Sequence, residues 1–481
     1  MLSSFINRNT SRLLLFFTCL FLTLPIYGQR TLPEDIELLA NKHNIPIDSL
    51  SIILQPLNSD TRLINLNAEV YRTPASVSKL FTAFVAMDHL GPDYHWTTEV
   101  FSTDSINDGA VDSLIFKGGG DPYITIERLD TMVLALRNLG ITSINDGLIV
   151  EQNFFKQPQA STADFDDDPL RPYNIMHTSL LINSNKIDFK IKKYSNNTIK
   201  IDPDFLPDGV LFRNELEFGP GSCSQLRDQV QFTQILEGQY PPYIVLLVDG
   251  DYPKNCFEFE HDLSLTDANH YFFGAFKNLW LKSGGSFNGY IREAKVPLLK
   301  RPIMTFDSPS LDEVIIEGVK ESDNLIARNL FLSLNQSGDK NYKASRRIMR
   351  KVLNSNDVSM TYNTFFENGS GLSRKTKVKP ETILSLLMAI RKHSSSDRLI
   401  NSLPISGVDG TIEKRYKTDL LTGRLKLKTG TLDGVSGLAG FITGLSGREY
   451  AFVFLHNDIP DHPYKISPFR EALLNLVVSD I

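Results

Sequence analysis

Residues 73–90, TPASVSKLFTAFVAMDHL, leave this chain little freedom. Pro74 suits the first turn of a helix, where its missing N–H is no loss. Leu80, Phe81, Phe84, Val85 and Met87 recur at helical spacing, and Gly91-Pro92 ends the run. The pattern predicts a largely buried helix with Ser76 in its N-terminal turn. Lys79, three residues on, shares a face with Ser76. A serine hydroxyl is a poor nucleophile until a base takes its proton, and a lysine can be that base only with a lowered pKa. Burial and a second nearby cation each lower it. Alone, S-x-x-K carries little weight, because an ordinary helix start also produces it. Ser337-Gly338-Asp339-Lys340 repeats the pattern in a polar turn where nothing holds the pair.

Two later segments add to it. Residues 311–334 read as two helical runs flanking Glu321-Ser322-Asp323-Asn324. Residues 424–431, RLKLKTGT, alternate basic and apolar residues like a strand and contain Lys428-Thr429-Gly430-Thr431. Residues 438–443 and 449–455 read as the next antiparallel strands, and 467–478 as a closing amphipathic helix. The S-x-N triplet at 322 is weak alone, since turns and caps account for most such triplets. In this order and these settings, S-x-x-K, S-D-N and K-T-G form the set used by penicillin-binding proteins and class A β-lactamases.

The rest of the chain narrows the function. Composition is that of a globular protein, 41% hydrophobic and 22% charged. A net charge of -6 gives no reason to expect a nucleic-acid partner. No H-E-x-x-H, Cys/His ligand spacing or G-x-S-x-G elbow occurs, so no metal or other cofactor is expected. Arg8 and Arg12 precede an apolar run at 13–27 that ends at Gly28, which reads as a secretory signal over residues 1–28. Ile26 is larger than usual before a cleavage site, and an uncleaved anchor is the other reading. Cys19 lacks the small residues that precede a lipidated cysteine. Cys223 and Cys256 either pair in an oxidising compartment or remain two buried thiols.

Three further stretches complete a resemblance. They are Gly118-Gly119-Gly120-Asp121-Pro122, Asn368-Gly369-Ser370-Gly371-Leu372-Ser373-Arg374, and residues 403–411, LPISGVDGT. From about residue 33 onward the sequence resembles the class C low-molecular-mass penicillin-binding proteins, the D-Ala-D-Ala carboxypeptidases/endopeptidases of peptidase family S13. It departs at Asn368, where that family usually has Asp, and around residues 155–180.

The resemblance implies a multi-domain α/β fold with a serine β-lactamase/DD-peptidase-like catalytic domain, an antiparallel sheet flanked by helices. Positions 80 to 321 put 242 residues between Lys79 and Ser322, too many for one connection in a compact domain. Two nested inserted domains are therefore expected. The catalytic domain would span 29–96 and 267–481, with domain II at 97–121 and 181–266 and domain III at 122–180.

The resemblance also implies the roles. Ser76 would be the nucleophile, Lys79 its base and Ser322 a proton relay. Asn324, Lys428, Thr429, Gly430 and Thr431 would bind substrate, with Arg374 and Asp168 reading a diaminopimelate-like side chain. The partners would be peptidoglycan peptides ending in, or cross-linked through, D-Ala, with β-lactams as covalent inhibitors, in the periplasm or outside the cell. The oligomeric state stays open. A β-lactamase would need a device for rapid hydrolysis of its acyl-enzyme and has no evident use for the long insertion. A non-catalytic wall-binding scaffold has no need of an intact Ser76, Lys79, Ser322 and Lys428 set.

Overall fold

The computed structural model describes residues 32–157, 161–194, 198–239, 242–296, 300–458 and 466–481. The expected signal segment and Cys19 lie outside the described residues. Among the described residues no helix is long and apolar enough to cross a membrane.

The chain begins with helix α1 (Leu32–Lys42) and strands β1 (Leu50–Pro56) and β2 (Ile64–Leu66). A 3₁₀ turn at Ala75–Ser78 then leads into helix α2 (Lys79–Leu90). After a long excursion come helices α3 (Leu311–Lys320) and α4 (Asn324–Ser333). Strands β3 (Leu425–Leu432), β4 (Val435–Thr443) and β5 (Glu449–Asn457) and helix α5 (Ser467–Asp480) end the chain.

One antiparallel sheet, ordered β3-β4-β5-β1-β2, divides this domain. Successive strand side chains point to opposite faces, so each strand supplies two cores. Ile53, Ala439, Val453 and Leu455 pack with α2, α3 and α4, while Ile52, Leu54, Phe452 and Phe454 pack with α1 and α5. Helix α2 is buried from Lys79 through Met87, as its apolar sequence requires, and Gly91 ends it at φ 84°. A fully buried side chain such as Phe81 or Phe84 contributes about 1.5–3 kcal/mol. Caps set the next two helices. Ser310 and Glu313 form a capping box for α3, and the Asp323 carboxylate accepts the Ile326 N–H at 2.8 Å to start α4.

The excursion is two nested units, but with boundaries other than those expected. Its outer unit is a five-stranded sheet ordered Ile291–Glu293, Leu148–Glu151, Leu114–Lys117, Thr97–Ser102, Met304–Asp307. The helix Ala268–Lys282 was expected to open the second half of the catalytic domain. Its Phe272, Phe276 and Trp280 instead share a core with Phe116, Val133 and Leu148. The chain thus leaves the insertion after Asp307 rather than near 267, because strands 291–293 and 304–307 pair with inserted strands. The inner unit is not 122–180. It is a pair of three-stranded sheets between Lys186 and Ser264. Within it Cys223 and Cys256 form a disulfide, Cα–Cα 5.2 Å. Between the two units, Tyr173 and Ile175 reach the catalytic domain through their carbonyls, bonded to Asn324 and Arg328.

Candidate active site

Ser76 sits on the 3₁₀ turn that precedes α2, half-buried, so its hydroxyl can be reached. Ala75 before it is buried with φ 48°, a left-handed conformation that costs a non-glycine residue about 1–3 kcal/mol. Neighbours hold this turn in place. Asn457 pairs with the Thr73 backbone through both ends of its amide, at 2.6 and 3.0 Å. Strand β3 presses against it through Gly430, where an added Cβ would lie 2.6 Å from Pro74 O and 3.1 Å from Ser76 N. Gly371 (φ 82°) approaches from the other side, its missing Cβ 2.0 Å from Ala75 O.

Lys79 points back at Ser76. Its Nζ lies 2.9 Å from Ser76 Oγ, 2.6 Å from Asn324 Oδ1 and 2.8 Å from Ser370 O. Both carbonyl oxygens can only accept, so they take two N–H bonds of the amine. The remaining direction faces the serine oxygen, and in the neutral amine that direction is the lone pair. Burial pushes the Lys79 pKa well below its ordinary value, helped by the cations Lys428 and Arg328 and opposed by Asp323.

The S-D-N loop adds two groups at the junction of α3 and α4. Ser322 has φ 64°, another left-handed non-glycine residue. Asn324, first in α4, gives its carbonyl to Lys79 and donates Nδ2 to the carbonyl of Tyr173 in the inserted span at 3.1 Å. The amide expected to hold substrate is therefore engaged here. One Nδ2 hydrogen is taken by Tyr173 O, and the second is left for a substrate carbonyl.

Strand β3 is the outer edge of its sheet. Leu427 N donates outward to Pro404 O, so by the two-residue period the N–H groups of Thr429 and Thr431 face outward too. Lys428 points to the α2 face, fully buried, donating to Thr429 O at 3.1 Å, its acceptor among the described residues. Burial pushes its pKa down to about 7, with Glu321 opposing. Thr429 Oγ1 lies 3.0 Å from Thr411 Oγ1 in the 403–411 stretch, and Thr431 is exposed.

Some contributors carried no assigned role in the sequence. Ser370 acts through its carbonyl, which no side-chain pattern reveals. Asn368 shapes the same loop, accepting from the N–H groups of Ser370 and Gly371 and donating to Leu372 O. Arg328, one turn after Asn324, is buried and donates to Ile175 O. Its only signal was the i, i+4 spacing.

Two candidates fare differently. Arg374 is exposed, bonded to Asp433 O at 2.5 Å and placed over the Phe165 ring. It lines a cavity of about 430 Å³ with Asp164, Phe165, Arg328 and Asn368. Asp168 does not line that cavity. Its carboxylate is bound to Arg171 at 2.6 Å, while Asp164 is among the residues that line the cavity with Arg374.

The model of the D-Ala-D-Ala carboxypeptidase 3 (S13) family matches residues 32–474. The chain belongs to this family. Its class is therefore that of a serine peptidase. D-alanyl-D-alanine carboxypeptidase DacB of Haemophilus influenzae is 26% identical over 421 residues, 84% of each chain. A D-alanyl-D-alanine carboxypeptidase of an Actinomadura species is 25% identical over 410 residues, 80% of this chain and 73% of that one. Among solved structures, penicillin binding protein 4 (dacB) from H. influenzae superposes with a TM-score of 0.75 at 24% identity, covering 92% of this chain and 99% of that one. The same protein has been solved complexed with a β-lactam.

Proposed function

We propose that this chain is a D-Ala-D-Ala carboxypeptidase/endopeptidase of exported peptidoglycan peptides, working through an acyl-enzyme on Ser76 and blocked by penicillins. One observation carries the reading: Lys79 has two N–H bonds fixed by carbonyls and its third direction on Ser76 Oγ. A neutral Lys79 takes the Ser76 proton as Oγ attacks the carbonyl of the penultimate D-alanine. The N–H groups of Ser76 and Thr431 receive the oxyanion, a contribution of about 3–4 kcal/mol per donor in comparable sites. Ser322 passes the proton to the departing amine, and water then hydrolyses the ester. Lys428, Thr429 and Thr431 bind the terminal carboxylate. Carboxypeptidase and endopeptidase action share every step and differ only in what the departing amine carries.

The test is intact-mass spectrometry after benzylpenicillin, with digestion to find the site. One adduct, on a peptide containing Ser76 and absent in Ser76→Ala, is expected. An adduct that persists in Ser76→Ala overturns the assignment. Digestion of purified muropeptides, with products identified by mass, separates the two peptidase activities.

A further inference from the structure

A cavity of about 690 Å³ lies where the inserted span meets the N-terminus of the Ala268–Lys282 helix. Its volume is in the range of sites that enclose a drug-sized ligand, about 300–1,000 Å³. Gln152, Gln157, Thr178, Asn185, Asn269 and Glu293 line it, with the Phe155 ring in the wall. Among the described residues that line it, none is Lys or Arg. Asp267 caps the helix, accepting from Asn269 N and His270 N, and is also held by the His270 ring. Burial lowers the pKa of the nearby His177 ring, whose Nε2 lies 3.0 Å from Gln157 O. The wall thus presents amides, hydroxyls and carboxylates, with Gln152 bonded to Asn269 and Asn269 to Glu293, and among the described residues it holds no Lys or Arg.

Asn185 backs one wall of the cavity. It is fully buried, its Nδ2 donates to Leu265 O at 3.2 Å, and its Oδ1 has no partner among the described residues. A buried acceptor left unmade costs about 1–3 kcal/mol. It also ends three consecutive left-handed residues, Asn183, Ser184 and Asn185, at φ 50°, 53° and 52°.

The cavity joins the peptide site. Gln157, Ser161, Thr162, Met176 and His177 line both it and the smaller cavity that holds Arg374. Resting on the proposed function, the stem peptide runs from the scissile bond past Arg374, and its N-terminal end is attached to an amino sugar. We propose that the 690 Å³ cavity binds an N-acetylated sugar of the glycan strand, so that the enzyme recognises glycan-attached stems. Planar amides and a carboxylate match sugar hydroxyls and the acetamido group.

The test compares kcat/KM on a disaccharide-pentapeptide with that on the free pentapeptide. Measurements use the full chain, Asn269→Leu and Glu293→Gln, with benzylpenicillin acylation as the reference. The sugar is expected to raise wild-type kcat/KM at least about tenfold, the worth of one or two hydrogen bonds. Both variants should lose most of that gain, while pentapeptide hydrolysis and penicillin acylation stay within about twofold. Equal wild-type values on the two substrates overturn the proposal, as does a gain that both variants retain. So does an equal gain from a cross-linked peptide freed of its sugars, which would assign the cavity to a second stem. Absence of both acylation and pentapeptide hydrolysis in the wild type refutes the peptidase reading instead.

Discussion

Lys428→Met is expected to make the protein more stable and nearly inactive. The wild-type side chain is fully buried with no carboxylate bonded to it, and its pKa falls from the ordinary 10.5 to about 7. At about 1.4 kcal/mol per tenfold, burial disfavours the charged form by roughly 4–5 kcal/mol. The sign follows from proton counting. Between about pH 7 and 10.5 the unfolded chain holds a proton that the folded one lacks, so wild-type stability rises with pH across that window. Near pH 7 and below, the folded state bears the full cost. A methionine of similar length removes it, and after imperfect packing a gain of about 2–4 kcal/mol near pH 7 is expected. Function moves the other way. A charge-assisted bond to the substrate carboxylate, worth about 1.5–3 kcal/mol, is lost. The cation that helps depress Lys79 also goes, so the neutral fraction of the base shrinks. Urea unfolding at pH 6, 7.5 and 9 reads the first effect, and stopped-flow benzylpenicillin acylation from pH 5 to 10 reads the second. The expected result is a flattened stability–pH slope, acylation down at least about a hundredfold at pH 7, and a rising limb displaced to higher pH. A variant less stable than wild type at pH 7, or a limb that stays in place, refutes the reasoning.

Gly430→Ala should slow acylation at least about tenfold while the protein still folds, because its Cβ must push aside backbone at Pro74 and Ser76. A wild-type labelling rate with a fluorescent penicillin would contradict the close approach. Arg374→Ala should lower kcat/KM on stems with a diaminopimelate-like side chain and spare benzylpenicillin acylation. Equal losses would mean that its bond to Asp433 O supports the loop generally. Replacing Cys223 and Cys256 by Ser should destabilise the inner inserted unit by about 3–4 kcal/mol without changing acylation, since the 33-residue loop lies wholly inside that unit. Limited proteolysis with and without reductant checks it, and unchanged cleavage would refute it.

The sequence told most where one side chain carries both a local pattern and a role. Ser76, Lys79 and Lys428 stood on a helix start and a strand that periodicity alone could place. The closing strands and both helices around Ser322 appeared within a few residues of their expected bounds. Partner choice was hidden. The apolar stripe of Ala268–Lys282 says that the helix is buried but not against which sheet, so the domain boundary shifted by about forty residues, from near 267 to 307. Asp168 was one of several acids in a run, and its pairing with Arg171 is not announced by the run itself. The Ser370 and Tyr173 carbonyls belong to the backbone, and no residue pattern announces a backbone oxygen.

Strand β5 lies in the middle of the catalytic sheet, far along the chain from the strand beside it. It pairs with β1, some four hundred residues earlier, and its Asn457 holds the backbone just ahead of Ser76. Closing so long a loop before any contact rewards it makes folding slow. A growing or prematurely ended chain therefore lacks both the keystone of its sheet and the clamp on its nucleophile. A chain that stops before β5 has the serine and the lysine but not the strand and the amide that hold them in place.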